Sequence, residues 1–192
     1  NKSKTDIYII DIDGNNNRCL TKSFSNELSP TWNKDGSKIL FMCADSGDMQ
    51  VWEMNPDGSE RKQVSFVEGG VNGFKYSPDE SQLLFIAEVK LKDNVADIYP
   101  DLPLSSGRVN NDLMYRHWDQ WVDTYSHIFV TSDNGKVKLD IMEGEMWEAP
   151  VRPWGGMEQI AWTKDGQNIL YSSRKKVGKD YATSTNTDIY QY

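Results

Sequence analysis

Along the chain, short apolar runs alternate with polar turns, and three stretches repeat one pattern. Ser29-Pro30-Thr31-Trp32-Asn33-Lys34-Asp35-Gly36-Ser37-Lys38-Ile39-Leu40-Phe41 is the first. Phe74-Lys75-Tyr76-Ser77-Pro78-Asp79-Glu80-Ser81-Gln82-Leu83-Leu84-Phe85 and Ile160-Ala161-Trp162-Thr163-Lys164-Asp165-Gly166-Gln167-Asn168-Ile169-Leu170-Tyr171 are the others. Each reads as an apolar strand end, an aromatic residue, a polar turn and a second apolar strand. The aromatics Trp32, Tyr76 and Trp162 lie 44 and then 86 residues apart, close to one period and then two. A fixed period of that length in an all-strand pattern predicts propeller blades.

The turns carry their own chemistry. Asp35-Gly36 and Asp165-Gly166 are Asp-Gly signals: glycine reaches positive φ without steric cost, and aspartate bonds to the backbone two residues on. Pro78-Asp79-Glu80 lacks the glycine and is expected to use another turn type. The near-continuous apolar runs after the turns, Ile39–Met42, Leu83–Ile86 and Ile169–Tyr171, predict inner strands buried on both faces. A second hairpin follows in the first unit, Gln50–Met54 and Arg61–Ser65 around Asp57-Gly58, and a matching pair surrounds Asp13-Gly14 near the start. The unit therefore has four strands. The chain divides into blade remnants at 1–27, a blade at 28–67, a blade at 68–144 with an insertion at 88–125, and a partial blade at 145–192.

Thr187-Asp188-Ile189-Tyr190 repeats Thr5-Asp6-Ile7-Tyr8, so the chain starts and stops at one phase of the repeat. The expected fold is all-β: a partial propeller of about four four-stranded blades, an open arc with a helical insertion. Unpaired strand edges in such an arc predict self-association.

Within the insertion, Glu88–Asn111 reads as a surface loop and Asn111–Asp123 as the chain's one helix. Apolar residues at 113, 114, 118, 121 and 122 fit a period of 3.6, and Asn111 suits an N-cap. Here lie the candidate binding residues Arg116, Trp118, Asp119, Trp121 and Asp123, since aromatic and arginine side chains anchor recognition surfaces. Against this stands plain packing, with both tryptophans holding the helix on the blades and Arg116 paired with Asp112 or Asp119.

A net charge of −8 argues against a general nucleic-acid surface. No apolar run approaches the roughly 20 residues of a membrane-spanning helix. The opening Asn1-Lys2-Ser3-Lys4-Thr5 has no targeting character and reads as an internal stretch of a longer chain. Cys19 and Cys43 allow a disulfide but fit buried thiols better. His117 and His127 have no companion at metal-ligand spacing, no calcium-loop pattern occurs, and no cofactor is expected. Gly69-Gly70 and Gly155-Gly156 read as tight turns between blades, not phosphate cradles.

The pattern Ser-Pro-x-Trp-x-x-Asp-Gly-x-x-Ile-x-Phe, followed by Val51-Trp52-Glu53-Met54-Asn55-Pro56-Asp57-Gly58, resembles the repeat of TolB-type β-propellers. These also form the N-terminal propeller of the prolyl oligopeptidase family of dipeptidyl and acylaminoacyl peptidases. Tyr99–Leu102, Arg116–Val122 and Gly155–Trp162 are more particularly similar to bacterial secreted members. The resemblance implies a non-catalytic segment that gates and positions peptide substrates for a separate α/β-hydrolase domain, in a periplasmic or secreted parent. No Gly-x-Ser-x-Gly nucleophile elbow occurs in the sequence, so the piece is expected to be catalytically silent. In dipeptidyl peptidases acidic residues of a helical insertion capture the substrate's amino group. Asp119 and Asp123 are the acids available here, without the usual adjacent glutamates. The alternative is a TolB-like protein-binding propeller with no peptidase attached.

Overall fold

A computed structural model describes residues 4–90, 92–110, 113, 115–132 and 137–192. Its strands are β1 (Tyr8–Ile9), β2 (Arg18–Cys19), β3 (Glu27–Trp32), β4 (Ile39–Cys43), β5 (Gln50–Met54), β6 (Lys62–Gln63), β7 (Gly73–Tyr76) and β8 (Leu83–Lys90). After a helical turn, α1 (Val95–Ile98), come β9 (Arg116–His117), β10 (Gln120–Trp121), β11 (Thr124–Ser132), β12 (Val137–Asp140), β13 (Ile160–Trp162) and β14 (Ile169–Ser173). A second helix, α2 (Gly178–Thr183), precedes β15 (Asp188–Gln191). The sheets run β1-β2, β3-β4-β5-β6, β7-β8-β11-β12, β9-β10 and β13-β14-β15. The fold is all-β with few helices, a partial TolB-like propeller.

Two compact units divide the chain: residues up to Ala87 with Phe129–Leu139, and Glu88–Ile128 with Asp140–Tyr192. In the first, β4 is buried along its whole length, and Phe41, Cys43 and Met54 pack with Ile7 and Ile39. Removing a ring such as Phe41 costs about 3–5 kcal/mol, the lost transfer energy plus a cavity. The second unit buries Ile128, Met142, Ile160 and Tyr181.

The three repeated turns are built alike. The residue that opens each turn uses its side-chain oxygen to accept the backbone N–H five residues on: Asn33 from Lys38, Ser77 from Gln82, Thr163 from Asn168. Each aspartate accepts the N–H two residues on, at 2.9 Å for Asp35, 3.1 Å for Asp79 and 3.1 Å for Asp165. Gly36 and Gly166 hold φ of 74° and 70°. Glu80 takes the same place at φ 61°, and its N–H donates to the Ser77 carbonyl at 2.9 Å, as Gly36 and Gly166 do to Asn33 and Thr163. The expected change of turn type is therefore corrected. The side-chain bonds around Asp79 hold a glutamate in the left-handed region that glycine occupies elsewhere.

The insertion differs from expectation more sharply. The segment read as a helix contains the hairpin β9–β10, with Arg116 opposite Trp121 and a two-residue tip, Trp118-Asp119. Trp118 has φ 51°, the sign such a tip demands at its first position. The 118/121 spacing imitates a helical face, but Trp121 lies across the ladder from Arg116. The expected N-cap and Asp112 fall outside the described residues. Helical structure occurs instead at α1, capped by a reciprocal bond pair between Asn94 and Asp97, and at α2.

Candidate functional site

The five residues singled out from the sequence meet around the hairpin, each in a distinct role. Trp121 is the hub. Tyr115 stacks on it at 6.3 Å, and the guanidinium groups of Arg108 and Arg116 lie over its ring at 4.6 and 5.2 Å. Arg108 also binds Asp123, N–O 2.6 Å, which occupies that carboxylate. Arg116 therefore faces an aromatic ring; of the two carboxylates that the packing alternative offered it, Asp112 lies outside the described residues. Asp119 stands exposed at the hairpin tip. Trp118 meets Trp154 edge-to-face, centroids 4.9 Å apart, and both rings remain about three-quarters exposed, at 72% and 76%. Water-exposed aromatic pairs beside arginine and carboxylate groups have the composition of a recognition anchor.

Sequence reading missed three members of this cluster: Arg108, Tyr115 and Trp154. Trp154 comes from a segment more than 30 residues away in the chain, which no local period reveals. What holds it there is legible afterwards. A Cβ on Gly155 would lie 2.5 Å from the Val151 carbonyl oxygen, so only glycine permits the close turn there, and the Gly155 N–H donates to that carbonyl. Two residues before Trp154, Arg152 enters a partly buried network. Its Nε donates to Glu148 at 2.6 Å, its Nη2 to the Thr124 carbonyl, and Nη1 lies 3.7 Å from Glu88. Glu88 in turn accepts from the hydroxyls of Thr124 and Ser126, at 2.5 and 2.8 Å. Glu148 is 2% exposed and also receives the Tyr181 hydroxyl at 3.2 Å. Burial first, then the charge of Glu148, pushes the Tyr181 phenol up to about 12. The network is a fixed, charged underlay for the segment that carries Trp154.

Elsewhere, Cys19 and Cys43 are free thiols. Glu27, Cys43 and Asp45 bring ligand atoms within 4.8 Å of one another. The Arg61 guanidinium already sits among them, 3.3 Å from Glu27, 2.8 Å from Asp45 and 2.9 Å from the Cys43 sulfur, and stacks over Phe41 and Trp52. The cluster thus has its own cation. His127 pairs through Nδ1 with Asp140 at 2.9 Å and is buried. No helix is long and apolar enough among the described residues to cross a membrane.

The TolB beta propeller domain family matches residues 1–110. Among curated proteins, the chain is similar to dipeptidyl-peptidase 5 of Porphyromonas gingivalis, 48% identical over all of this chain and 28% of that protein. Dipeptidyl-peptidase 5 of Porphyromonas endodontalis is 43% identical over the same shares. Among solved structures, the acylaminoacyl peptidase of Pyrococcus horikoshii superposes on 97% of this chain and 26% of its own, with TM-score 0.60 and 16% identity, a likeness of fold. The chain spans 28% of the length of the two curated relatives.

Proposed function

The chain belongs to the TolB beta propeller domain family, and on that premise we propose that it is the non-catalytic propeller segment of a dipeptidyl-peptidase-type serine exopeptidase. The observation that carries this reading is the 48% identity to a dipeptidyl peptidase along the whole chain. In this reading the segment gates and positions peptides for a separate α/β-hydrolase domain of the same protein, which is exported to the periplasm or beyond. The hairpin tip is the positioning surface. Asp123 is held by Arg108, so Asp119 is the carboxylate available to a substrate's terminal ammonium. The Trp118–Trp154 pair offers a flat apolar face beside it.

The test is an Asp119→Asn substitution in the full-length protein. An ion-paired hydrogen bond to the ammonium predicts a fall of about tenfold or more in kcat/KM for dipeptide substrates with a free N-terminus. N-acylated analogues should change little. Equal losses for both classes would assign Asp119 to the support of the hairpin and remove it from substrate capture.

A further inference from the structure

The first compact unit contains a cleft of about 710 Å³, within the usual size range of small-ligand sites. One wall is a face of the sheet β7-β8-β11-β12, with Tyr76 on β7, Leu83 and Phe85 on β8, Thr131 on β11 and Lys138 on β12. Tyr76 lies opposite Leu83, and Phe85 stacks on Phe129 at 5.4 Å, which places these side chains on one face. The other wall is Glu53 and the strand and loop from Lys62 to Glu68.

Three features of the cleft are not explained by packing. Thr131 is 8% exposed, and its buried hydroxyl has no hydrogen-bond partner among the described residues. Such an orphan is costly, and native structures rarely keep one without use. The Lys138 ammonium lies over the Phe129 and Phe85 rings at 4.4 and 5.6 Å and pairs with no carboxylate among the described residues. At the opposite edge of the sheet two carboxylates, Glu53 and Glu80, outnumber one cation: Lys62 lies 3.8 Å from Glu53, and Glu80 also accepts the Lys34 N–H. Burial first, then the charges of Glu53 and Glu80, pushes the Tyr76 phenol up to about 12. The cleft therefore has a cationic end with a spare hydroxyl, an apolar floor and an anionic end.

We propose that this cleft binds a short extended peptide with both termini free, its carboxylate on Lys138 and Thr131 and its ammonium toward Glu53 and Glu80. The length follows from the sheet. Tyr76 and Lys138 stand on outer strands three spacings apart, about 14 Å. Four extended residues span about the same distance. A dipeptide reaches only half as far and engages one end at a time. The proposal rests on residues of the first unit alone and does not depend on the peptidase reading, whose test uses Asp119.

The experiment is calorimetric titration of the 192-residue chain with the tetrapeptide Gly-Leu-Phe-Ala, its C-amidated form, its N-acetylated form, and the dipeptide Gly-Leu. Circular dichroism confirms that each variant keeps its strand signal. The free tetrapeptide should bind most tightly, and amidation, acetylation or shortening should each weaken it about tenfold. Lys138→Gln should abolish the preference for the free carboxylate over the amide while leaving the acetylation effect in place. Thr131→Val, which removes the orphan hydroxyl at constant shape, should weaken binding without lowering the melting temperature. Absence of saturable binding up to about 10 mM tetrapeptide overturns the proposal. So does binding that Lys138→Gln leaves unchanged, or equal binding of a plain fatty acid such as octanoate, which would mark the cleft as an unselective apolar surface.

Discussion

Two non-glycine residues, Glu80 and Trp118, sit in left-handed backbone conformations at the tips of hairpins, with φ of 61° and 51°. Their supports are different in kind. Around Glu80 the bonds that hold the turn are local: Asp79 accepts from the Ser77 hydroxyl at 2.6 Å and from the Ser81 N–H and hydroxyl, all within a few residues, while the Glu80 carboxylate, beyond the turn, accepts the Lys34 N–H. Around Trp118 the described contact is distant: its ring meets Trp154, whose segment is fixed by Arg152 on the buried Glu148. The first tip is a scaffold part that repeats at Gly36 and Gly166. The second is a solitary tip, exposed, and held in place by another part of the chain. Strain that the neighbouring sequence resolves belongs to the fold, whereas strain resolved from a distance marks a surface positioned for use.

Removing the distant support should produce the largest effect. Arg152→Met removes the guanidinium that lies between the buried Glu148 and Glu88, and unfolding stability should fall by about 3 kcal/mol. Chemical denaturation measures it. By contrast Arg108→Met breaks a half-exposed pair and should cost at most about 1 kcal/mol. If the two losses are similar, the network beneath Trp154 has no special role.

Next comes Trp118→Gly. Glycine relieves the left-handed strain, about 1 kcal/mol, while the lost aromatic pair costs about as much. The melting temperature should therefore stay within about 3 °C of the parent's. The kcat/KM of the full-length protein for dipeptide substrates should nevertheless drop about tenfold. A stability loss with unchanged kinetics would place Trp118 with the scaffold tips.

Glu80→Gly is the matched change at the scaffold tip. It relieves the left-handed strain but also removes the exposed bond from the Lys34 N–H, so the melting temperature should stay within about 2 °C of the parent's, with no consequence for catalysis. Differential scanning calorimetry on the pair of glycine variants sets the two tips side by side.

The smallest effect is a pH dependence confined to the scaffold turns. Hydrogen bonds hold the carboxyls of Asp13, Asp35, Asp57 and Asp165 below the usual aspartate range, and Asp79 down at about 2, the Ser77 hydroxyl being the main cause there. A depressed folded-state pKa gives stability that is complete above the unfolded value near 3.9 and is lost as pH falls toward the folded value. The Asp79→Asn variant should therefore show a shallower decline in melting temperature than the parent between about pH 4 and pH 2. A parallel decline would mean that these turn bonds do not discriminate between charged and neutral aspartate.

The repeat was readable because its signals are local. Asp-Gly pairs, serine or threonine two residues before or after, and apolar runs on either side all fall within about a dozen residues, and each turn accordingly forms where the sequence suggests. Glu80 escaped because composition names the glycine but not the hydrogen bonds that let another residue replace it. The hairpin at Arg116–Trp121 escaped because a two-residue tip puts its aromatics three apart, the spacing of a helical face. Arg116, Trp118, Asp119 and Trp121 all belong to that hairpin, and Asp123 follows it two residues on. Trp154 and Arg108 depend on contacts across 36 and 15 residues of chain, Arg152 reaches Thr124 and Glu88 across 28 and 64, and α2 presents only Tyr181 to the interior, too little for a periodic signal.

The sheet β7-β8-β11-β12 has one more consequence, for the order in which the chain assembles. Between β4 and β5 the chain closes a loop of about six residues, whereas between β8 and β11 it must close one of about 33. With a logarithmic dependence on length, the longer closure carries an extra entropic penalty of about 1.5 kcal/mol. The sheet made of β3 to β6 should therefore form early, and the sheet that carries the insertion should follow, its two inner strands waiting on the slower encounter. That penalty is small for the freedom it allows. A segment of 30 residues or more can be exchanged at the centre of a blade without altering any of its strands, so the surface at the hairpin tip can diversify among relatives faster than the scaffold that bears it.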